Sequence, residues 1–367
     1  DVVTLAWNDV NNGDVPTPVA YQDHVVIRQR NADGTAGAIL VDTAVTFTGA
    51  AALPLAAGES RPRTFTFTLP DGLRGTGTFD VVVTADQATN GQGTLFETNA
   101  DGNAESNNDA SASFAAAARN YADLGVTDLQ VPATVNSGAT ATVTWTVVNH
   151  GSADANGPWS DRIVLSTDDI IGNGDDIVLA TVANASALTI GQSYTQSASV
   201  RIPTRLQGTY RIAVVTDAAN AVLEPDTRTD NLRMSAPIAV QQTYADLAPV
   251  VTSVPVQAFA GRAAHVEWTV SNQGTVATDV GNWVDQVYLS STPTLAADAV
   301  LVGSVTHVGS LAVGASYGAS FDLTVPRTAL GPMYFIVRTD AFGAVFQPGH
   351  TANDAVAASA ATQIQPE

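Results

Sequence analysis

Three times along this 367-residue chain the same order of residues returns, and that recurrence restricts the fold more than any single residue does. Trp145-Thr-Val-Val-Asn149-His-Gly151 leads to Trp159-Ser-Asp161-Arg-Ile-Val-Leu165. Trp268-Thr-Val-Ser-Asn272-Gln-Gly274 leads to Trp283-Val-Asp285-Gln-Val-Tyr-Leu289. Near the start, Trp7-Asn-Asp-Val-Asn11-Asn-Gly13 leads to Tyr21-Gln-Asp23-His-Val-Val-Ile27. A fixed order at a fixed spacing marks an array in which each repeat is one folding unit. Function is therefore to be sought in what an array does.

Tyr121-Ala-Asp-Leu124 and Tyr244-Ala-Asp-Leu247 open the second and third copies. Gly191/Gly314, Tyr194/Tyr317, Pro203/Pro326, Gly208/Gly331 and Thr216-Asp217/Thr339-Asp340 keep the same offset. In the first copy, Trp7 aligns with Trp145, so everything matching Tyr121 to Gly138, including a first strand, has no counterpart. The expected modules are 1–118, 119–243 and 244–367. Either the chain is a piece of a longer array, which is the reading preferred here, or the first module takes a strand from elsewhere.

Each copy reads as strands. Val143-Thr-Trp145-Thr-Val147 alternates with a period of two and is rich in β-branched residues, as a half-buried strand requires. Ile163 to Leu165, Thr209 to Val215 and Ile238 to Val240 continue the pattern, with Gly, Asn, Asp and Pro between them. No window carries a 3.6-residue apolar stripe. The expected fold is all-β: three tandem immunoglobulin-like antiparallel sandwiches in an elongated array. Only Gln241 to Ala245 separates the last strand of copy two from the first of copy three, which restricts the angle between them. Three sandwiches end to end would reach on the order of 100 Å.

The net charge is −20, from 35 acidic against 15 basic residues, and every basic residue is Arg. With no basic patch, binding to nucleic acid or to an anionic membrane is not expected. There is no Cys, which removes disulfides, thiol catalysis and zinc–thiolate sites. No run of 18 apolar residues exists to span a bilayer.

The run Trp-Thr-Val-x-Asn-x-Gly, then Trp-x-Asp-x-Val/Ile-x-Leu, then Gly-x-Tyr near Val-Val-Thr-Asp, and a Glu followed by Asp-Asn, resembles the CARDB repeat, the cell adhesion related domain found in bacteria. The resemblance covers Tyr121 to Gln365 and, without its first strand, Asp1 to Phe114. It departs at Gln347-Pro-Gly-His350, which replaces Glu224-Pro-Asp226-Thr, and at Tyr21, where the other copies have Trp. It implies an immunoglobulin/fibronectin-like sandwich, found in tandem in large secreted or surface-anchored proteins.

The segment Glu97-Thr-Asn99-Ala-Asp101-Gly-Asn103-Ala-Glu105-Ser-Asn107-Asn108 places oxygen-bearing side chains at every second position. That density, with Asp86 nearby, suits a loop that wraps calcium. The second copy keeps Asp217, Glu224, Asp226, Asp230 and Asn231, and the third only Asp340, Asn353 and Asp354. Calcium is expected to stiffen the first module most. The acidic stretch Ser166 to Asp176 reads as an ordinary hairpin turn, because its counterparts in the other copies are poor in ligands. Trp159, Trp283 and Tyr21 read as packing residues rather than sugar-stacking platforms. Gly314-Ala-Ser316-Tyr-Gly318 matches a nucleophile-elbow pattern, but no helix follows, and all copies share a Leu-x-x-Gly-x-Ser turn there. The five His residues are scattered and unmatched between copies.

The expected function is therefore non-enzymatic: a stalk, spacer or fibre subunit of a large bacterial secreted or cell-surface protein, located outside the cell. Expected partners are neighbouring modules of the same chain, homotypic strand addition or fibre assembly, and a glycan or surface ligand. The alternative is a carbohydrate-binding accessory array of a secreted hydrolase.

Overall fold

The computed structural model describes residues 1–18, 20–98, 101 and 103–367. Its regular structure is almost entirely β, with short 3₁₀ turns and no α-helix among the described residues. The first copy holds β1 (Val2–Val10), β2 (Gln22–Arg30), β3 (Ala36–Thr46), β4 (Ser60–Thr68), β5 (Gly77–Thr84) and β6 (Asp109–Ala116). The second holds β7 (Leu124–Gln130), β8 (Thr134–Asn136), β9 (Thr140–Asn149), β10 (Trp159–Ser166), β11 (Ile177–Asn184), β12 (Ser193–Arg201), β13 (Gly208–Val215), β14 (Leu232–Met234) and β15 (Ile238–Gln241). The third repeats it with β16 (Leu247–Ser253), β17 (Gln257–Phe259), β18 (Ala263–Asn272), β19 (Asn282–Ser290), β20 (Val300–Val308), β21 (Ser316–Thr324), β22 (Gly331–Arg338), β23 (Ala355–Ala357) and β24 (Thr362–Gln365).

The alternation seen in sequence becomes two facing sheets. In copy two, β12-β9-β7 packs against β11-β10-β13-β15-β8, with β14 also on β13. Copy three has the same order, β16-β18-β21 against β17-β24-β22-β19-β20. Along β9 the burial alternates strictly, so Ala141, Val143, Trp145 and Val147 all point inward. Twenty buried apolar residues form the core of copy two and nineteen that of copy three, and Trp145 and Trp268 are at most 1% exposed. Ser316, the nucleophile-like residue of the Gly314–Gly318 stretch, opens β21 opposite Ser271, so that motif is architecture.

The first copy is built differently at one edge. Its sheets are β1-β4 and β3-β2-β5-β6, and no described strand occupies the position of β7 or β16 beside β1. Only six buried apolar residues make up its main cluster, while Val3, Leu5, Trp7, Phe65, Phe67 and Phe114 remain half-exposed around it.

Among the described residues, sheet pairing closes within each copy and does not cross between copies. The accessible surface, 18,932 Å², fits that separation. A single globule of this 37.8 kDa mass would expose about 14,000 Å², whereas three separate thirds would expose roughly 18,600 Å². The modules are beads in series, with little surface lost between them.

Candidate functional site

The repeated Trp and Asp meet in the core. Trp145 Nε1 donates to Asp161 Oδ2 at 2.7 Å, and Tyr194 Oη donates to the same oxygen at 2.7 Å. Thr216 Oγ1 completes the set on Oδ1 at 2.8 Å. Copy three repeats the set on Asp285, with Trp268, Tyr317 and Thr339 at 2.9, 2.8 and 2.7 Å. Asp161 and Asp285 are fully buried and join residues from both sheets. Burial beside these carboxylates drives the Tyr194 and Tyr317 hydroxyls far above the usual tyrosine range. This polar staple fixes how the two sheets are placed on each other. The motif spacing was visible in the sequence; its role was not.

Copy one keeps Trp7 and Asp23, 2.8 Å apart, but changes what surrounds them. Asp9, in the place of Val147, accepts from Tyr21 Oη at 2.9 Å and from the buried guanidinium of Arg63 at 2.5 Å. Arg63 also lies over the Phe47 ring, 3.8 Å from its centroid. Burial, followed by the neighbouring Asp9, raises the Asp23 carboxyl to about 7.

A second polar cluster holds the first strand. Asp217 adopts φ 44°, a left-handed conformation that Asp tolerates because its short side chain can bond locally, and accepts Ala221 N and Val222 N at 2.8 and 3.0 Å. That turn presents Glu224, whose Oε1 accepts the backbone N–H of Leu124 in β7 and whose Oε2 accepts Asn231 Nδ2 at 2.8 Å. In copy three Asp340 accepts Ala344 N and Val345 N, and Gln347 Oε1 accepts Leu247 N at 2.6 Å. Acid and amide have changed places: Glu224–Asn231 becomes Gln347–Asp354, the latter pair 3.5 Å apart. Burial, then Asp340, raises Asp354 to about 7.

The residues expected to hold calcium are thus distributed as follows. Asp217, Glu224 and Asn231 are engaged in the strand clasp, and Arg228 reaches into it, 3.4 Å from Asp217 and 4.0 Å from Glu224. A guanidinium supplies the positive charge there. Asp226 turns outward to accept Leu73 N of copy one at 2.7 Å. Asp230 faces Asp123 at the start of β7, and its carboxyl is raised by burial and then by Asp123. In copy one, Asp86 accepts Thr94 N, Thr94 Oγ1 and Leu95 N. Asn107 ends a short 3₁₀ turn that begins at Ala104, and Asp101, Asn103, Glu105 and Asn107 are exposed. Asn108 Nδ2 donates to Glu105 at 3.0 Å. Glu97 is half-buried, its carboxyl raised by burial, then by Glu105 and Asp86. Asn99 lies outside the described residues. Among the described residues no three acidic, His or Cys side chains gather as metal ligands.

Trp159 and Trp283 are 3% exposed, and Trp283 is covered by His307 at a ring separation of 4.2 Å. They are packing residues and offer no face to a sugar.

The copies are joined by side chains to which the sequence assigned no joining role. Tyr121 Oη donates to Asp71 at 2.8 Å and accepts Gly72 N at 3.2 Å. At the next joint Arg205 pairs with Asp279 at 2.5 Å and lies 4.6 Å over the Phe346 ring. Gly72 and Arg205 occupy the same turn, each two residues after a Pro, with φ 77° and 66°.

A family model, CARDB, matches residues 121–234 and 244–355. Similar solved structures include the CARDB domain of the PF1109 protein from Pyrococcus furiosus, in a crystal structure with di-metal ions. It is 18% identical with TM-score 0.25, covering 33% of this chain and 89% of that one. The solution structure of that domain gives 19% identity, TM-score 0.26, and 34% and 98% coverage. A β-glucosidase from Listeria innocua gives 19% identity and TM-score 0.23, covering 34% of this chain and 16% of the enzyme. No curated protein sequence matches the chain.

Proposed function

Because this chain belongs to the CARDB family, we propose that it is a non-catalytic, adhesion-related segment that spaces and orients whatever it is attached to, outside a bacterial cell. The observation that carries this reading is the repeated joint. The turn after β4 and the turn after β12 each dock onto loops of the following module, through Asp71/Gly72/Leu73 with Tyr121 and Asp226, and through Arg205 with Asp279 and Phe346. A short linker bonded on both sides holds the second joint. Thr243 N donates to Ser137 Oγ at 3.0 Å, and Tyr244 N to Thr275 Oγ1 at 3.1 Å. A flexible tether would need none of these contacts.

Calcium belongs in this reading only at the first module. There the protein supplies no guanidinium equivalent to Arg228, and Glu97 stands beside Glu105 and Asp86. Calcium at millimolar concentration is expected to raise the first melting transition, because an ion bound only to the folded state stabilises it. Equal melting in calcium and in chelator removes the ion from the proposal and leaves the spacer.

Residual dipolar couplings measured on the whole chain test the spacer directly. One common alignment for all three modules is expected, and three independent alignments would overturn it. A glycan array distinguishes the carbohydrate-binding alternative, which requires saturable binding by these modules.

A further inference from the structure

One inward-facing position differs in each of the three copies. Opposite Trp7, Trp145 and Trp268, on the neighbouring strand, stand Arg63, Gln196 and Ala319. All three follow the more buried phase of their strands, β4, β12 and β21. In copy one the long Arg63 side chain reaches Asp9 and lies over the Phe47 ring. In copy two Gln196 carries a carboxamide into the margin of the core, where its Oε1 is buried. In copy three Ala319 stops at Cβ.

No neighbour restores the bulk lost at Ala319. Phe321, the next inward residue of β21, is pressed against Gly303 of β20, where a Cβ would stand 2.1 Å from its ring. Copy two has Ala198 and Ala180 at those two places. What remains above Phe321 is a cavity of about 200 Å³ whose lining includes Asp285, Val305, His307, Tyr317, Gly318 and Ala319. Its innermost group is the fully buried Asp285 carboxylate, and one wall is the His307–Tyr317 ring pair, stacked at 3.8 Å. β20 and β21 are the outer strands of their sheets, so each presents main-chain N–H and C=O groups beyond its own ladder. The rim is uncharged: in a chain of net charge −20, Ala299 to Phe321 contains no Asp, Glu or Arg.

We propose that this cavity in copy three is a binding site for a neutral carboxamide group carried on a short apolar stem. The ligand chemistry comes from Gln196, which places that group at the same position of the same fold. An amide N–H suits Asp285, whose Oδ1 accepts from Thr339 and can take a further donor. The amide C=O suits the main-chain donors of the two outer strands, and the stem lies against Val305 and Ala319. A few convergent polar groups in a mostly apolar hollow are the usual form of a small-ligand site. A cation fits less well. Where copy one buries a guanidinium it adds a second acid, Asp9, and copy three has Val270 in that place. Glutamine side chains and N-acetylated sugars both carry the group that the cavity takes. The inference stands whether or not the array acts as a spacer.

The probes are acetamide and acetone, its shape mimic without N–H groups, each titrated into the intact chain while backbone amide shifts are followed by NMR. Acetamide should saturate with a dissociation constant on the order of 10 mM, as suits a ligand of so few atoms. Its shifts should gather at residues 305–308 and 318–320 and spare 195–197, where Gln196 fills the space. Ala319→Gln, which copies the second module, should weaken binding roughly tenfold or more by occupying the cavity. Gln196→Ala should do the reverse and open a second site, with new shifts at 195–197. Because that variant gains binding, a folding defect cannot imitate its result. Gly-Gln-Gly and N-acetylglucosamine, with Gly-Leu-Gly and glucose as controls, then separate the two sources, and the tighter binder identifies the carrier of the group. Lack of saturation by about 0.2 M acetamide overturns the proposal. So does equal binding of acetone, an Ala319→Gln chain that binds as the parent does, or rejection of both carriers.

Discussion

The first and second copies each place a Trp indole on an Asp sixteen positions later, yet the two carboxylates stand in opposite circumstances. Asp161 is buried and accepts three hydrogen bonds, from Trp145, Tyr194 and Thr216. Asp23 has the indole but also Asp9, and it lies in a module whose core is closed on one side less. One sequence motif thus produces a structural staple in one place and a titratable strain in another. What decides is the residue two positions beyond the Trp, Val147 or Asp9, and whether a first strand covers it.

The sharpest way to break this comparison is to remove the staple. Asp161→Ala leaves the Trp145, Tyr194 and Thr216 donors buried without an acceptor and should cost copy two about 3–5 kcal/mol. Urea unfolding followed by tryptophan fluorescence measures it. A loss below about 1 kcal/mol would mean that the carboxylate does not hold the sheets together.

The pH dependence of copy one should run in the direction that its acid pair dictates. In the unfolded chain Asp23 loses its proton near pH 4, but in the folded module it keeps it to about 7. Between those values the folded state binds more protons, so stability falls as pH rises from about 4 to about 7 and is flat above that range. The total is on the order of 2–4 kcal/mol, and Asp23→Asn should abolish it while leaving the transitions of the other copies in place. Asp354 imposes the same sign on copy three, so difference profiles between parent and variant are the appropriate measurement. A profile of Asp23→Asn parallel to the parent's would show that the pair carries no proton.

Much of this was legible in the sequence. The period-two run through Trp145 placed β9, and the turn residues placed the hairpins. The alignment of Asp86, Asp217 and Asp340 was correct as a position. What the letters left open is where the oxygens point, because ligand density does not give their direction. Asp217 turns its oxygens onto N–H groups four and five residues ahead, and Arg228 fills the remaining field. The exchange of Glu224–Asn231 for Gln347–Asp354 was a readable signal that these residues bond to each other and to a backbone, since a cation site would not trade acid for amide so freely. The joints were illegible because Arg205 and Asp279 are far apart in sequence and neither position keeps its residue type in the other copies.

The strand clasp gives a smaller effect than the staple. Glu224→Ala removes the acceptor of the Leu124 N–H and of Asn231 and should cost about 1–3 kcal/mol. The exchanged pair, Glu224→Gln with Asn231→Asp, recreates the arrangement of copy three and should recover most of it. Hydrogen exchange at Leu124 reads the outcome without depending on global unfolding. If the double variant is no more protected than Glu224→Ala, the clasp does not work as an acid–amide unit.

The smallest expected effect lies at the joint. Arg205 and Asp279 are partly exposed, so solvent and salt screen their attraction, and such pairs contribute about 0–1 kcal/mol. The stacking of Arg205 on Phe346 adds roughly 0.5 kcal/mol in a site this open. Removing Arg205 should therefore leave the melting of every module nearly unchanged. What changes is freedom: with the guanidinium gone, the linker bonds, among them those at Thr243 and Tyr244, are left to define the angle between copies two and three. A double-mutant cycle of Arg205→Ala and Asp279→Ala should give a coupling of about 0.5–1 kcal/mol at low salt that fades by 0.5 M salt. Dipolar couplings of the Arg205→Ala chain should show copy three aligning more weakly than in the parent while copies one and two still align together. If the parent and the variant align identically, the joint is set by the linker alone, and the likeness between the two docking turns is a matter of shared ancestry rather than of mechanics.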